Sequence, residues 1–266
     1  MPTLPLLSIA AYCGLAWYFW RSNRLDRHWP KSLVQGLLLG SVILHGSTLI
    51  DAIWHSNVVG LGVGTALSIT LFLSVLIFWL GQFVYPLASI QPPLLAGAAI
   101  SIVAAMLMPP QHSFQGTELF AFRAHVLSAM LAYGLLTNAA IIALLMNVAD
   151  KRLHHHAAST KGPLLPPLLS LETLLFKVLL SGFLVLTVTL LSGLLFSEEI
   201  FHQPFKLNHK NLFTVIAWLV FAALLIGRSV MGWRGRIAVR WTLSGFSLLL
   251  LAYLGSKFVL EVVLHR

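Results

Sequence analysis

Apolar runs of membrane-spanning length, separated by short polar connections, follow one another along the whole chain. As a helix, a run of about 20 apolar residues matches the hydrocarbon thickness of a bilayer. Eight windows qualify: 3–20, 33–53, 62–84, 93–108, 124–146, 176–196, 212–231 and 242–264. The fourth is short and bounded by Pro92, Pro93, Pro109 and Pro110, which define its ends more firmly than its depth. The pattern predicts an all-α, polytopic integral membrane bundle of about eight transmembrane helices, forming a single domain over residues 1–266. The first window has no basic residue before it and four just after it, the opposite of a cleavable signal peptide, and reads as a retained anchor.

Composition narrows the class further. Hydrophobic residues make up 58% of the 266 and charged residues 9%, against roughly 25% charged in soluble domains. The single Cys13 excludes a disulfide framework, a CxxC redox pair and a CxxCH site for covalent haem attachment.

Charge then predicts the orientation. Arg21, Arg24, Arg27 and Lys31, then Lys151, Arg152, Lys161 and Lys177, then Arg228, Arg234, Arg236 and Arg240 occupy alternate connections. Those connections hold 12 of the 17 basic residues but only Asp26, Asp150 and Glu172 among the acids, and so carry the whole net charge of +9. The positive-inside rule puts them in the cytoplasm and both termini outside. The basic balance is therefore a topology signal, and nucleic acid drops out as a partner. The Leu-rich, Pro-broken PLLPPLLSLETLLF is expected along the inner interface before the sixth span. The adjacent His154, His155 and His156 lie in the same mobile polar connection and read as compositional.

The histidines sort unevenly across this frame. His45 lies eight residues below Ile53, roughly 12 Å deep at the helical rise per residue. An ionisable group at that depth is a functional candidate; the alternative is a neutral imidazole bonded to a neighbouring helix. His125 and His265 stand at the outer ends of the fifth and eighth spans, and His209 just precedes the seventh. These three share a level. Two imidazoles hold one haem iron only from opposite faces at matching height, so pairing is favoured among them and disfavoured with His45. Taken singly each is an interfacial histidine; their convergence points to a ligand set. Arg123, Lys210 and Lys257 lie on the same side. Each suits either a haem propionate or lipid phosphate, and Lys257 also has Glu261 at i+4.

HVLSAMLAYGLL (125–136), LPPLLSLETLLFK (165–177), AWLVFAALL (217–225), GWRGRIAVRW (232–241) and AYLGSKFV (252–259) resemble the cytochrome c assembly protein family, related to CcsA and CcmC, in its small YpjD/HemX-like inner-membrane branch. The likeness is dense from 125 to 266 and weak before. It implies an inner-membrane protein that binds b-type haem near its outer face through His125 and His265. Arg123 and Lys257 would lie near the propionates, His209 is in reserve, and His45 matches a histidine of an early span. Partners implied are haem, membrane lipid and other cytochrome-assembly or transporter membrane proteins.

Two departures limit the analogy. The connection 197–211 contains no Trp, so the WWD platform of the larger members is absent, and Gly227 stands where members with a second, intramembrane haem site have a histidine. What the resemblance supports is therefore one haem site. No Ser–His–Asp grouping, carboxylate cluster or phosphate loop supports an enzyme, and spans nearly free of carboxylates argue against an ion-driven carrier. The expected role is haem handling or cytochrome c assembly; the alternative is a membrane scaffold or transporter accessory subunit with a vestigial haem site.

The charge pattern makes a direct prediction. An alkaline phosphatase fusion at the C-terminus should be active and one within 228–240 inactive; the reverse would invert the orientation.

Overall fold

Without water in the bilayer core, each apolar run must satisfy its own backbone, and it does so by forming a helix. The computed structural model describes residues 3–25, 29–54, 62–84, 90–108, 120–154, 167–195 and 209–252. Within them lie eight helices and no strand: α1 (Thr3–Leu25), α2 (Lys31–Trp54), α3 (Val63–Gly81), α4 (Gln91–Leu107), α5 (Phe120–His154), α6 (Leu168–Leu195), α7 (His209–Met231) and α8 (Gly235–Leu250). Six are long and apolar enough to cross a membrane, namely α1, α2, α3, α5, α6 and α7. The protein is a polytopic helical membrane bundle, as the apolar windows predict.

The boundaries depart from the windows at several helix ends; α5 runs from Phe120 to His154, eight residues past its window and into the expected polar connection. α4 begins at Gln91, with its prolines inside the first turn, where a missing N–H costs nothing. α6 begins at Leu168, so LSLETLLF is not a separate interfacial segment. It forms the first turns of a 28-residue helix, whose roughly 42 Å exceed the hydrocarbon core. Most of the expected 228–240 connection is also helical. Only residues 232–234 separate α7 from α8. Gly232 (φ 68°) and Gly235 (φ 52°) adopt the left-handed conformation this tight reversal requires.

α5 is the central column. It packs most extensively on α6, then on α3 and α8, while α4 packs on both α1 and α3. Small residues set the closest crossings. A Cβ on Gly64 would come within 2.5 Å of the Ala104 carbonyl oxygen, so α3 and α4 meet backbone to backbone. Gly182 of α6 admits Leu136 of α5, and Gly245 of α8 admits Phe221 of α7.

Polar atoms inside the bundle act as staples between helices. Asn138 on α5 donates to the Ser74 carbonyl on α3 (3.1 Å). Tyr133 donates to the Leu249 carbonyl on α8 (2.9 Å). Trp218 on α7 donates to Thr187 on α6 (2.8 Å), and Trp79 on α3 to the Gln35 carbonyl on α2 (3.2 Å).

At the basic end a carboxylate closes the α7–α8 turn. Glu172, only 7% exposed in its side chain, accepts from Arg228 at 2.5 Å. Its other oxygen accepts from the Gly235 backbone N–H at 3.3 Å, and the Arg234 guanidinium stands 3.8 Å away. Arg228 also lies over the Phe176 ring, 4.6 Å from its centroid. One buried acid of α6 thereby holds the last residue group of α7 and the first of α8.

Removing Glu172 strands Arg228 beside apolar surface. Glu172→Ala should lower stability by about 2–3 kcal/mol, below the usual figure for a broken buried pair because Arg228 is partly solvated. Thermal unfolding in detergent checks this, and an unchanged midpoint would show that the turn holds without the carboxylate.

Candidate functional site

At the end of the bundle opposite the arginines, α5 begins, α6 ends and α7 begins. His125 lies in the second turn of α5 and is half-buried. Its Nδ1 is 2.8 Å from Ser192 Oγ, near the end of α6. Ser192 Oγ also donates to the Thr189 carbonyl oxygen at 2.9 Å. One turn down, Thr189 Oγ1 stands 3.2 Å from Ser128 Oγ, and Ser128 donates to the carbonyl of His125 itself at 2.8 Å. A short ladder of hydroxyls thus joins α5 to α6 just below the imidazole.

Gly193 completes the seat. A Cβ there would come 3.1 Å from His125 Cε1, tighter than ordinary contact, so the glycine gives the ring its room. Lys210, in the first turn of α7, stands close enough to act on the imidazole electrostatically. Arg123, two residues before His125, is exposed. An imidazole with Nδ1 held by a hydroxyl and a cation near it is the kind of side chain that ligates metals and accompanies acidic ligands.

His45 sits elsewhere in the bundle and is fully buried. Its Nδ1 lies 3.3 Å from Tyr12 Oη on α1, and its Nε2 lies 2.8 Å from Ser68 Oγ on α3. The rings of Tyr12 and Phe72 meet it edge-on, each with centroids 5.5 Å away. Both nitrogens are engaged, so the imidazole ties three helices together. To bind iron it would have to surrender one of these bonds. Its hydrogen-bond partners lie on α1 and α3, whereas Ser192, which meets His125, lies on α6.

Of the other expected site residues, His265 and Lys257 lie outside the described residues. His209 opens α7, but its side chain is also outside them. Lys210, read from the sequence as suited to a haem propionate or lipid phosphate, lies within electrostatic reach of His125. Ser192 and Gly193 escaped sequence reasoning altogether. Their signal is a Ser-Gly pair one turn before the end of an otherwise Leu-rich span, a pattern shared by any close helix contact.

These features define a multi-pass helical membrane protein with a histidine seat at one end of the bundle. The chain belongs to the cytochrome C assembly protein family, whose profile matches residues 33–264. That match begins well before the motif-rich segment 125–266 and takes in α2 with His45. The chain is 27% identical to the inner membrane protein YpjD of Escherichia coli K12, over 99% of this chain and all of that protein. It is 36% identical to the cytochrome c biogenesis protein CcsA of Prochlorococcus marinus MIT 9515, over 36% of this chain and 30% of that protein.

The arrangement around His45 separates clamp from ligand. His45→Ala opens a cavity and leaves the Tyr12 and Ser68 hydroxyls without their shared partner. It should cost about 2–4 kcal/mol and leave the absorption spectrum of any bound haem unchanged. A shifted or missing Soret band would place His45 at the iron instead.

Proposed function

We propose that this chain is an inner-membrane haem-handling protein of cytochrome c assembly, holding b-type haem near its outer face. His125 would hold the iron together with His265, with His209 in reserve. The observation that carries the reading is the seat of His125: a half-buried imidazole anchored by Nδ1 to Ser192, spared a Cβ by Gly193, with Lys210 nearby. Histidines with an outer-shell hydrogen bond and flanking cations suit haem, which when bound would supply an iron for imidazole nitrogen and two propionate carboxylates for the cations.

The protein's own residues do the rest. Ser192 orients the imidazole, and the α5–α6 contact keeps its height. Arg123 and Lys210 compensate acidic groups at the headgroup level, with Lys257 as a further candidate. The names of the relatives fit this role, since one is an inner membrane protein and another a cytochrome c biogenesis protein.

One site, rather than a transmembrane chain of two, fits the packing of α7. The indole of Trp233 lies directly over Gly227 and would overlap any Cβ added there. A histidine at 227 would displace that indole from the α7–α8 turn. The absence of the WWD segment removes the surface on which larger members offer haem to an acceptor, so the role is to hold haem, in handling or assembly, without catalysis.

Absorption spectra of purified wild type, His125→Ala, His265→Ala and Arg123→Ala, each after haem addition, test the site. Wild type should show a Soret band. His125→Ala should lose most of it, a larger loss than the roughly 10–100-fold weakening typical of outer-shell changes. Arg123→Ala should retain haem more weakly with unchanged band positions, because it removes charge compensation rather than a ligand. A full band in His125→Ala would move the site elsewhere.

A further inference from the structure

We infer that the start of α8 binds an anionic phospholipid: Arg236 and Arg240 take the phosphate, and the exposed apolar side chains beside them take the acyl chains. The site lies at the basic end of the bundle and is independent of the haem reading above.

The two arginines share one face of the helix. At about 100° per residue, Arg236, Arg240 and Ile237 fall within roughly 100° of arc, with the arginines about 6 Å apart along the axis. All three side chains are exposed, that of Arg236 to 71%. Leu251, also exposed, follows on the same face about 16 Å deeper than Arg240. Across the turn, Val230 and Met231 at the end of α7 are exposed as well. Cations at one level with apolar side chains beside and below them fit an amphiphile, whereas a free phosphate would use the cations alone.

The neighbouring carboxylates hold these arginines without neutralising them. Asp150 approaches Arg236 along its Nε edge at 3.8 Å, an ion pair too long for a hydrogen bond. That leaves the two terminal amino groups, which can grip a phosphate in bidentate fashion. Among the described residues no carboxylate lies within ion-pair distance of Arg240. Glu172 is already engaged by Arg228 and the Gly235 N–H. Two carboxylates therefore face Arg228, Arg234, Arg236 and Arg240, and this end keeps a positive surplus.

The rings beside the arginines fit the same depth. Trp233 and Trp241, with centroids 5.1 Å apart, flank Arg234 and Arg240 along the chain, and indoles favour the headgroup level of a bilayer. The Glu172 bond to the Gly235 N–H ties the first turn of α8 to α6, one residue before Arg236. The guanidinium pair is thus carried on a fixed helix start at the height of lipid phosphate.

Native mass spectrometry of the delipidated full chain in detergent, titrated with phosphatidylglycerol and with phosphatidylcholine, tests this. Wild type should bind phosphatidylglycerol preferentially and lose the preference at high salt. Arg236→Gln combined with Arg240→Gln should weaken phosphatidylglycerol about 25-fold, roughly fivefold for each arginine, and leave phosphatidylcholine unchanged. Arg21→Gln combined with Lys31→Gln, which removes the same charge from α1 and α2, should bind as wild type does. Excess inorganic phosphate should not displace the lipid. No phosphatidylglycerol preference in wild type would overturn the inference, and that measurement needs no variant to fold. An equal loss in the Arg21 and Lys31 variant would reduce the site to diffuse charge, and displacement by inorganic phosphate would reduce it to a simple anion site; either would overturn it.

Discussion

The close approach of α5 and α6 is the constraint on which the rest depends. The two helices can run side by side because glycines stand where side chains of α5 press: Gly182 against Leu136, and Gly193 against His125. In hydrocarbon there is no hydrophobic force between helices, so packing and internal hydrogen bonds must hold them. Here the small residues provide the packing and the hydroxyls of Ser128, Thr189 and Ser192 provide the bonds. A histidine placed near the end of that contact inherits its position from the whole helix pair.

The opposite end uses the same economy with different chemistry. Glu172 joins Arg228 of α7 to the first backbone N–H of α8, and Asp150 at the end of α5 meets Arg236 at 3.8 Å. Carboxylates and guanidinium groups gather where the basic connections lie; the imidazole, hydroxyls and Lys210 gather at the other end. α6 links the two, carrying Glu172 in its first turns and Ser192 in its last. A change of tilt at one end would therefore be felt at the other.

Much of the fold was legible in the apolar pattern, because in a bilayer the number and order of spans follow from length and hydropathy alone. Ends were less so. The LSLETLLF start of α6 and the Arg-rich start of α8 read as interface or connection, since polar residues can extend a helix beyond hydrocarbon without appearing in an apolar window. Gly232 and Gly235 fix the tight α7–α8 reversal, but their left-handed backbone is not visible in composition. His45 was legible as deep and in need of a partner; that Tyr12 and Ser68 on two other helices supply it depends on packing. His125 stood out only together with His209 and His265, since a single histidine at a span end reads as interfacial. Ser192 and Gly193 did not, because small residues in an apolar run look alike whether they pack a leucine or orient an imidazole.

We propose that His125 and a second histidine hold one haem iron at the outer face. Electron paramagnetic resonance of ferric, haem-loaded wild type in lipid nanodiscs reads the ligand field directly. Two imidazole ligands predict a low-spin signal that accounts for the bound haem. A wholly high-spin signal would mean that the iron lacks two strong nitrogen ligands, and would rule out a pair of histidines at the iron.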